Sequence, residues 1–393
     1  MHNKPRLLTP GPTQIPEQVR LELSRDMVHH RKPYFTSMMQ ELQTNLRRLF
    51  CTEQPVLPLS CSGTGAMEAA IDNLFNPGET VLVVEGGKFG ERWTQISEKK
   101  GLNVIKLEVN WGNAVDPRNI KEHLDKAPEI SGILLQASET STGVLHPVSQ
   151  IGELVRERNT LLIVDGISAV GISPCPMDKW NIDCLITGSQ KGMMLPPGLA
   201  PISLSARAWQ KTEQVESGNY YFDLRKELEK SYEGQTAYTS SVNLIMGLKA
   251  AMELFFEQGL EEMHRKYWAL TQMARTGAEA LGLQLLAEDN YTWGLTSIKI
   301  PSDVDGQKLV SRIAENYNIV IAGGQNQLKG KIVRIAHMGY VDWTDILAAL
   351  YALQATLQEL GGSNRADSNY LEQALKAYEE AKQAPVKEAT PKT

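Results

Sequence analysis

Between Thr80 and Thr187 the chain repeats one pattern: a short, unbroken apolar run, then a longer stretch that is polar or of helical period. Thr80 to Glu85, Asn103 to Glu108, Gly132 to Gln136, Leu161 to Val164 and Cys184 to Thr187 read as strands. Glu91 to Lys100 and Ile151 to Arg158 read as helices. Strands without polar alternation must be covered on both faces, which calls for a mainly parallel sheet between layers of helices. The expected class is therefore α/β, with a doubly wound large domain. At 393 residues there is room for an appendage as well.

The flanks supply it. Leu8 to Thr13 is a rigid lead with two prolines and a glycine, and Phe35 to Phe50 carries Met38, Met39, Leu42, Leu46 and Phe50 at helical spacing. A long helical pattern starts near Ser241, with Leu244, Leu248, Met252 and Phe255 on one face. Tyr291 to Ile300 and Ile332 to Ala336 read as strands, and Asp342 to Leu360 as a helix closed by Gly361 and Gly362. The expected division is an N-terminal arm (1–20), a large α/β domain (21–255), a smaller α+β domain (256–362) and a charged tail (363–393). In the tail, Tyr370 to Lys382 is amphipathic and expected to stay solvated, with dimer capping as the alternative; the last ten residues have a disordered composition.

Composition narrows the function. A net charge of −6 without a basic cluster argues against a nucleic-acid partner. No apolar run approaches the roughly 18 residues of a membrane span, and no apolar stretch follows the charged start as in a secretory signal. Cys51, Cys61, Cys175 and Cys184 form no C-x-x-C pair, as expected of reduced, mostly buried thiols in a cytoplasmic protein.

Two residues carry the chemistry. Asp165 ends the apolar run Leu161 to Val164, so it lies at the carboxyl edge of the sheet, where open α/β folds place ligands. Lys191 follows the run at 184–187, between Gly188-Ser-Gln and Gly192-Met-Met-Leu-Pro-Pro-Gly198, in a tight apolar setting that suits a partly buried amine of lowered pKa. An acid and a lysine so placed are what pyridoxal 5'-phosphate (PLP) needs: the lysine for a Schiff base, the acid to pair with the pyridinium nitrogen. The plainer alternatives are an N-cap at Asp165 and a surface loop at Lys191. Cys61 to Ala70 runs small residues into a helix start, a phosphate cradle or merely a tight turn. Arg334 stands in an apolar strand and needs an anionic partner, an internal acid or a ligand carboxylate. His337 reads as a structural hydrogen-bonding group.

Taken in order, these segments resemble the class V aminotransferases of PLP fold type I, nearest the serine–pyruvate, alanine–glyoxylate and serine–glyoxylate branch. The resemblance runs from about Leu8 to Leu360 and rests on Thr9-Pro-Gly-Pro-Thr13, His30-Arg31, Ser62 to Glu68, Phe89-Gly-Glu-Arg92, Glu139 to Val144, Val164-Asp165, Gly188 to Lys191, Pro196-Pro-Gly198 and Leu328 to Arg334. It implies that Lys191 holds PLP and Asp165 pairs with its ring nitrogen. Thr64, Gly65, Ala66 and Gln190 would take the phosphate, Phe89 would stack on the ring, and Thr140 would bond near the phenolic oxygen. Arg334 would bind the substrate α-carboxylate. The implied assembly is a homodimer with shared sites, in which Thr236 and Thr239 reach the neighbour's phosphate; no metal is implied. Phe89 replaces a common Trp, and Asn326 and Ala336 stand where Gly is common, which leaves the substrate pocket open.

The implied reaction is ping-pong transamination between serine or alanine and glyoxylate or pyruvate, since no second arginine suited to a side-chain carboxylate is apparent. One alternative is a lyase of the same fold such as a cysteine desulfurase, disfavoured because no cysteine lies beyond Cys184. The other is a metal-free subunit of a soluble hydrogenase, a label some relatives carry; four cysteines so spaced build no iron–sulfur or nickel site.

Overall fold

The computed structural model describes residues 4–216, 218–362 and 367–385. Its larger sheet has seven strands, in the order Val56–Leu59, Ala200–Leu204, Cys184–Ile186, Leu161–Asp165, Ile130–Gln136, Thr80–Glu85 and Asn103–Glu108. Only Ala200–Leu204 runs against its neighbours. Alternate residues of each strand enter different cores. Leu82, Val84, Ile133, Leu135, Leu162 and Val164 pack on one face; Val81, Val83, Leu134, Leu161 and Ile163 pack on the other. That is the covered parallel sheet expected from the apolar runs. Two of its strands were not anticipated, and both contain a proline. Pro58 and Pro201 stand opposite each other in the register and make these segments read as turns rather than strands.

The smaller lobe carries four strands in the order Arg6–Leu8, Ile319–Gly323, Ile332–Ala336 and Leu295–Lys299. The first is parallel to its neighbour and the others pair antiparallel. The opening residues are thus part of this lobe's sheet rather than a separate arm. Arg6 also pairs with Asp345 at 2.9 Å, in the first turn of helix Trp343–Glu359. That helix starts in a reciprocal capping box between Asp342 and Asp345, which satisfies donors that a helix start leaves open.

The long pattern from Ser241 forms two helices, Val242–Gln258 and Leu260–Ala280, broken at Gly259. The tail differs from the solvated expectation. Helix Tyr370–Gln383 buries Tyr370, Ala374 and Ala381, and packs on Leu260–Ala280 where Gly277 leaves room for it. A Cβ on Gly277 would stand 3.2 Å from that of Ala374 and 2.4 Å from a methyl of Leu350. The composition-based expectation of a disordered end falls mainly on 386–393, outside the described residues. Among the described residues no helix is long and apolar enough to cross a membrane. All four cysteines are free, and Cys51 is exposed.

Candidate active site

Five segments meet in one cleft lined by Ser62, Thr64, Phe89, Thr140, Asp165 and Lys191, among others. Each follows the carboxyl end of a parallel strand, the place that sheet topology makes available to ligands. Helix Gly63–Leu74 follows Val56–Leu59, and helix Lys88–Lys100 follows Thr80–Glu85. Neither has a side-chain cap from its own N-cap residue.

Asp165 ends its strand in register with Gln136 and Ile186. Its carboxylate accepts from the backbone N–H of Ile167 at 2.8 Å, so the turn role weighed for it holds alongside its place in the cleft. Burial pushes its pKa up to about 6, against that hydrogen bond; Glu139 adds to the rise, and Lys191 and Arg92 oppose it. Lys191 is only 8% exposed. Burial lowers its amine to about 8, with Asp165 opposing and Arg334 and Arg92 reinforcing the fall. The surface-loop reading of Lys191 is thereby excluded.

The opening segment reaches this lysine. Lys191 Nζ donates to the carbonyl of Pro10, while Thr13 donates through its backbone N–H to Gln190 and through its hydroxyl to Lys191, both at 3.1 Å. Gly11 lies between them at φ +123°, and a Cβ there would stand 2.5 Å from Nζ. Only glycine fits so close an approach in that conformation.

Thr64 and Phe89 line the cleft with Arg92, which sequence reasoning left without a role. Arg92 donates to Thr64 Oγ1 at 3.1 Å and stands 4.8 Å from the centre of the Phe89 ring. Glu139 holds the start of that helix from behind. Fully buried, it accepts from Phe89 N (3.0 Å), Gly90 N (3.1 Å), Ser141 N (3.0 Å) and Ser141 Oγ (2.6 Å). Burial raises its pKa all the same, with these hydrogen bonds opposing. Gly87 gives it space, since a Cβ there would lie 2.4 Å from the Glu139 carboxyl carbon. The one signal for Arg92 in the sequence is its spacing three residues after Phe89, which puts both on one helical face.

Gln190 lines the cleft, and its buried Oε1 accepts no hydrogen bond among the described residues. Gly65 and Ala66 continue helix Gly63–Leu74, each with its N–H bonded to Ser62 O. Arg334 lies beside the cleft. Burial lowers its pKa to about 10, opposed by Glu139. It donates to the carbonyls of Gly323 (3.0 and 2.7 Å) and Thr140 (2.7 Å). Three of a guanidinium's five N–H are thus used, all on neutral acceptors. Of the two anionic partners weighed for it, an internal acid or a ligand carboxylate, no internal acid pairs with it among the described residues. His337 is structural: its ring bonds Thr296 Oγ1 (3.0 Å) and Trp293 O (3.1 Å), and burial lowers it to about 3. Thr236 and Thr239 are not brought to the cleft of their own chain; they line a separate hollow with Ser60, Tyr221 and Tyr238. Among the described residues no group of three or more His, Cys, Asp or Glu is arranged to hold a metal.

The family model "Aminotransferase class-V" matches residues 7–346. A Synechococcus protein named as a soluble hydrogenase small subunit is 37% identical, over 93% of this chain and 96% of its own. At 32% identity stand an L-aspartate–glyoxylate aminotransferase of Paracoccus denitrificans and a serine–glyoxylate aminotransferase of Methylorubrum extorquens, each covering 90% of this chain and 91% of its own. The crystal structure of ureidoglycine–glyoxylate aminotransferase from Bacillus subtilis superimposes with a TM-score of 0.91 at 30% identity, over 96% of this chain and 99% of its own. The fold is that of the PLP-dependent aminotransferases, and the chain belongs to the class V aminotransferase family.

Proposed function

We propose that this aminotransferase uses PLP to move the amino group of a small L-amino acid, serine or alanine, onto a small 2-oxo acid, glyoxylate or pyruvate. The observation that carries the reading is Lys191 and Asp165 in one cleft, opposite in charge, each shifted by burial and coupled to the other. The residues fit the cofactor. There is an amine for its aldehyde, a carboxylate for its ring nitrogen, Phe89 for its face, and Thr64, Gln190 and an uncapped helix start for its phosphate. When bound, PLP supplies a carbonyl that takes up the amino group and a ring that draws electrons from the neighbouring C–H bond.

The chain's residues do the rest. Arg334 keeps two N–H groups free, which would hold the substrate's carboxylate and so fix its α-carbon. Lys191 Nζ would take the α-proton and return it to the cofactor carbon that holds the amino nitrogen; in the second half of the cycle it would move a proton from that carbon to the α-carbon of the incoming oxo acid. An amine with a pKa of about 8 does both near neutral pH. Asp165 stays ionised above about 6 and keeps the ring nitrogen protonated.

The names of three similar proteins support glyoxylate as acceptor. One relative's name includes aspartate, and Arg92 is an arginine that lines the cleft. Its bond to Thr64 turns it toward the phosphate end, which keeps the preference for small donors. The reading includes a homodimer, supported by Thr236 and Thr239 lying outside their own cleft.

The absorption spectrum tests this. The protein incubated with PLP should absorb in the visible and lose that band on addition of L-serine or L-alanine, but not of L-aspartate. It should regain the band with glyoxylate, and Lys191→Ala should never acquire it. A protein that stays colourless with PLP would overturn the reading.

A further inference from the structure

Arg92 has no part in the steps above, yet it is a cation in the cleft whose partners among the described residues are a hydroxyl and a ring. No carboxylate pairs with it among the described residues, so its charge is uncommitted. The Phe89 ring, three residues earlier on the same helical face, holds the guanidinium in place by a cation–π contact. Glu139 in turn fixes the start of that helix. The Thr64 hydroxyl accepts from Arg92, which leaves its own hydrogen free to donate elsewhere. Thr64 also stands in the first turn of helix Gly63–Leu74, where backbone N–H groups and the helix dipole favour an anion. The other two cations are engaged elsewhere: Lys191 on Pro10, and Arg334 on Gly323 and Thr140.

We infer that Arg92 is the charge partner of a phosphate monoester held at the start of helix Gly63–Leu74, binding it directly and aiming the Thr64 hydroxyl at it. The inference rests on the proposed cofactor. A phosphate monoester carries about −1.5 to −2 charge at neutral pH, more than a helix end of roughly +0.5 balances alone. A fixed guanidinium supplies both the missing charge and a directed fork.

The test uses the full chain freed of cofactor, titrated with pyridoxamine phosphate and with pyridoxamine by ligand fluorescence. Neither compound carries the aldehyde that Lys191 would capture, so the affinity ratio isolates the phosphate. Arg92→Gln should weaken pyridoxamine phosphate by about 10- to 100-fold, the worth of one or two charge-assisted hydrogen bonds, and leave pyridoxamine within about twofold. Arg92→Lys should fall between, and Thr64→Val should show a smaller loss of the same selectivity. These two variants keep the test open should Arg92→Gln fail to fold. Equal losses for both ligands would overturn the inference and leave Arg92 a packing partner of Phe89. Unchanged affinity for both compounds would overturn it too. If the unsubstituted chain binds neither compound, the cofactor reading itself fails.

Discussion

At Lys191 opposing effects set the proton. Burial strips water from the amine and favours its neutral form, and Arg334 and Arg92 repel the charge, while Asp165 attracts it. Deprotonated amine is the form that attacks an aldehyde. The rate at which the cofactor-free chain captures PLP should therefore rise about tenfold per pH unit below about 8 and flatten above it. Asp165→Asn removes the attraction and should move the break to lower pH; Arg334→Gln removes a repulsion and should move it higher. Stopped-flow absorbance checks both, and a break near the ordinary lysine value would refute the buried amine. Thr64 and Thr140 came only from the family resemblance, whereas Lys191 and Asp165 were legible in the residues themselves, because each stands at or just past the end of an apolar run and local order fixes it to the sheet's edge. Arg92 was not, because its role depends on two helices meeting at Thr64, which no local pattern encodes.

Among the elements, helix Lys88–Lys100 depends most on a residue outside itself. In its first turn the N–H groups of Phe89 and Gly90 end on Glu139, from the strand Ser138–Glu139, so one carboxylate ties the helix carrying Phe89 and Arg92 to the loop carrying Thr140. Glu139→Ala leaves those buried donors unmatched and should cost about 2–4 kcal/mol, read as a lower Tm by calorimetry. Glu139→Gln should fall between, since an amide presents an N–H to donors at one of its two ends. An unchanged Tm in both would mean that the helix start holds without this anchor. Several of the longer helices were readable from their periods, and the buried parallel strands from their unbroken apolar runs. The two proline-bearing strands were not, because their prolines fall among hydrogen bonds made by neighbouring residues.

For the whole molecule, the proposed shared site makes a distinctive prediction. Lys191→Ala and the double variant Thr236→Val, Thr239→Val should each be impaired alone. Mixed and reassociated, they should regain up to about a quarter of full activity, because each hybrid dimer rebuilds one site from two intact halves. No recovery from mixtures shown to exchange subunits would argue that each chain completes its own site. The sequence division into arm, large domain, small domain and tail differs from the structure at both ends. Arg6–Leu8 is too short to read as a strand and pairs with residues more than three hundred positions away. The tail helix shows its docking only where Gly277 makes room.

That first strand has a mechanical consequence. Within a few residues the backbone passes from the smaller lobe's sheet at Leu8 to the Pro10 carbonyl on Lys191. A slip of one residue at the sheet edge would carry Pro10 about 3.3 Å along the strand, further than a hydrogen bond can stretch. The lysine is thus geared to the edge of the other lobe, and a disturbance of Arg6–Leu8 is transmitted to the reacting amine along a few residues of backbone.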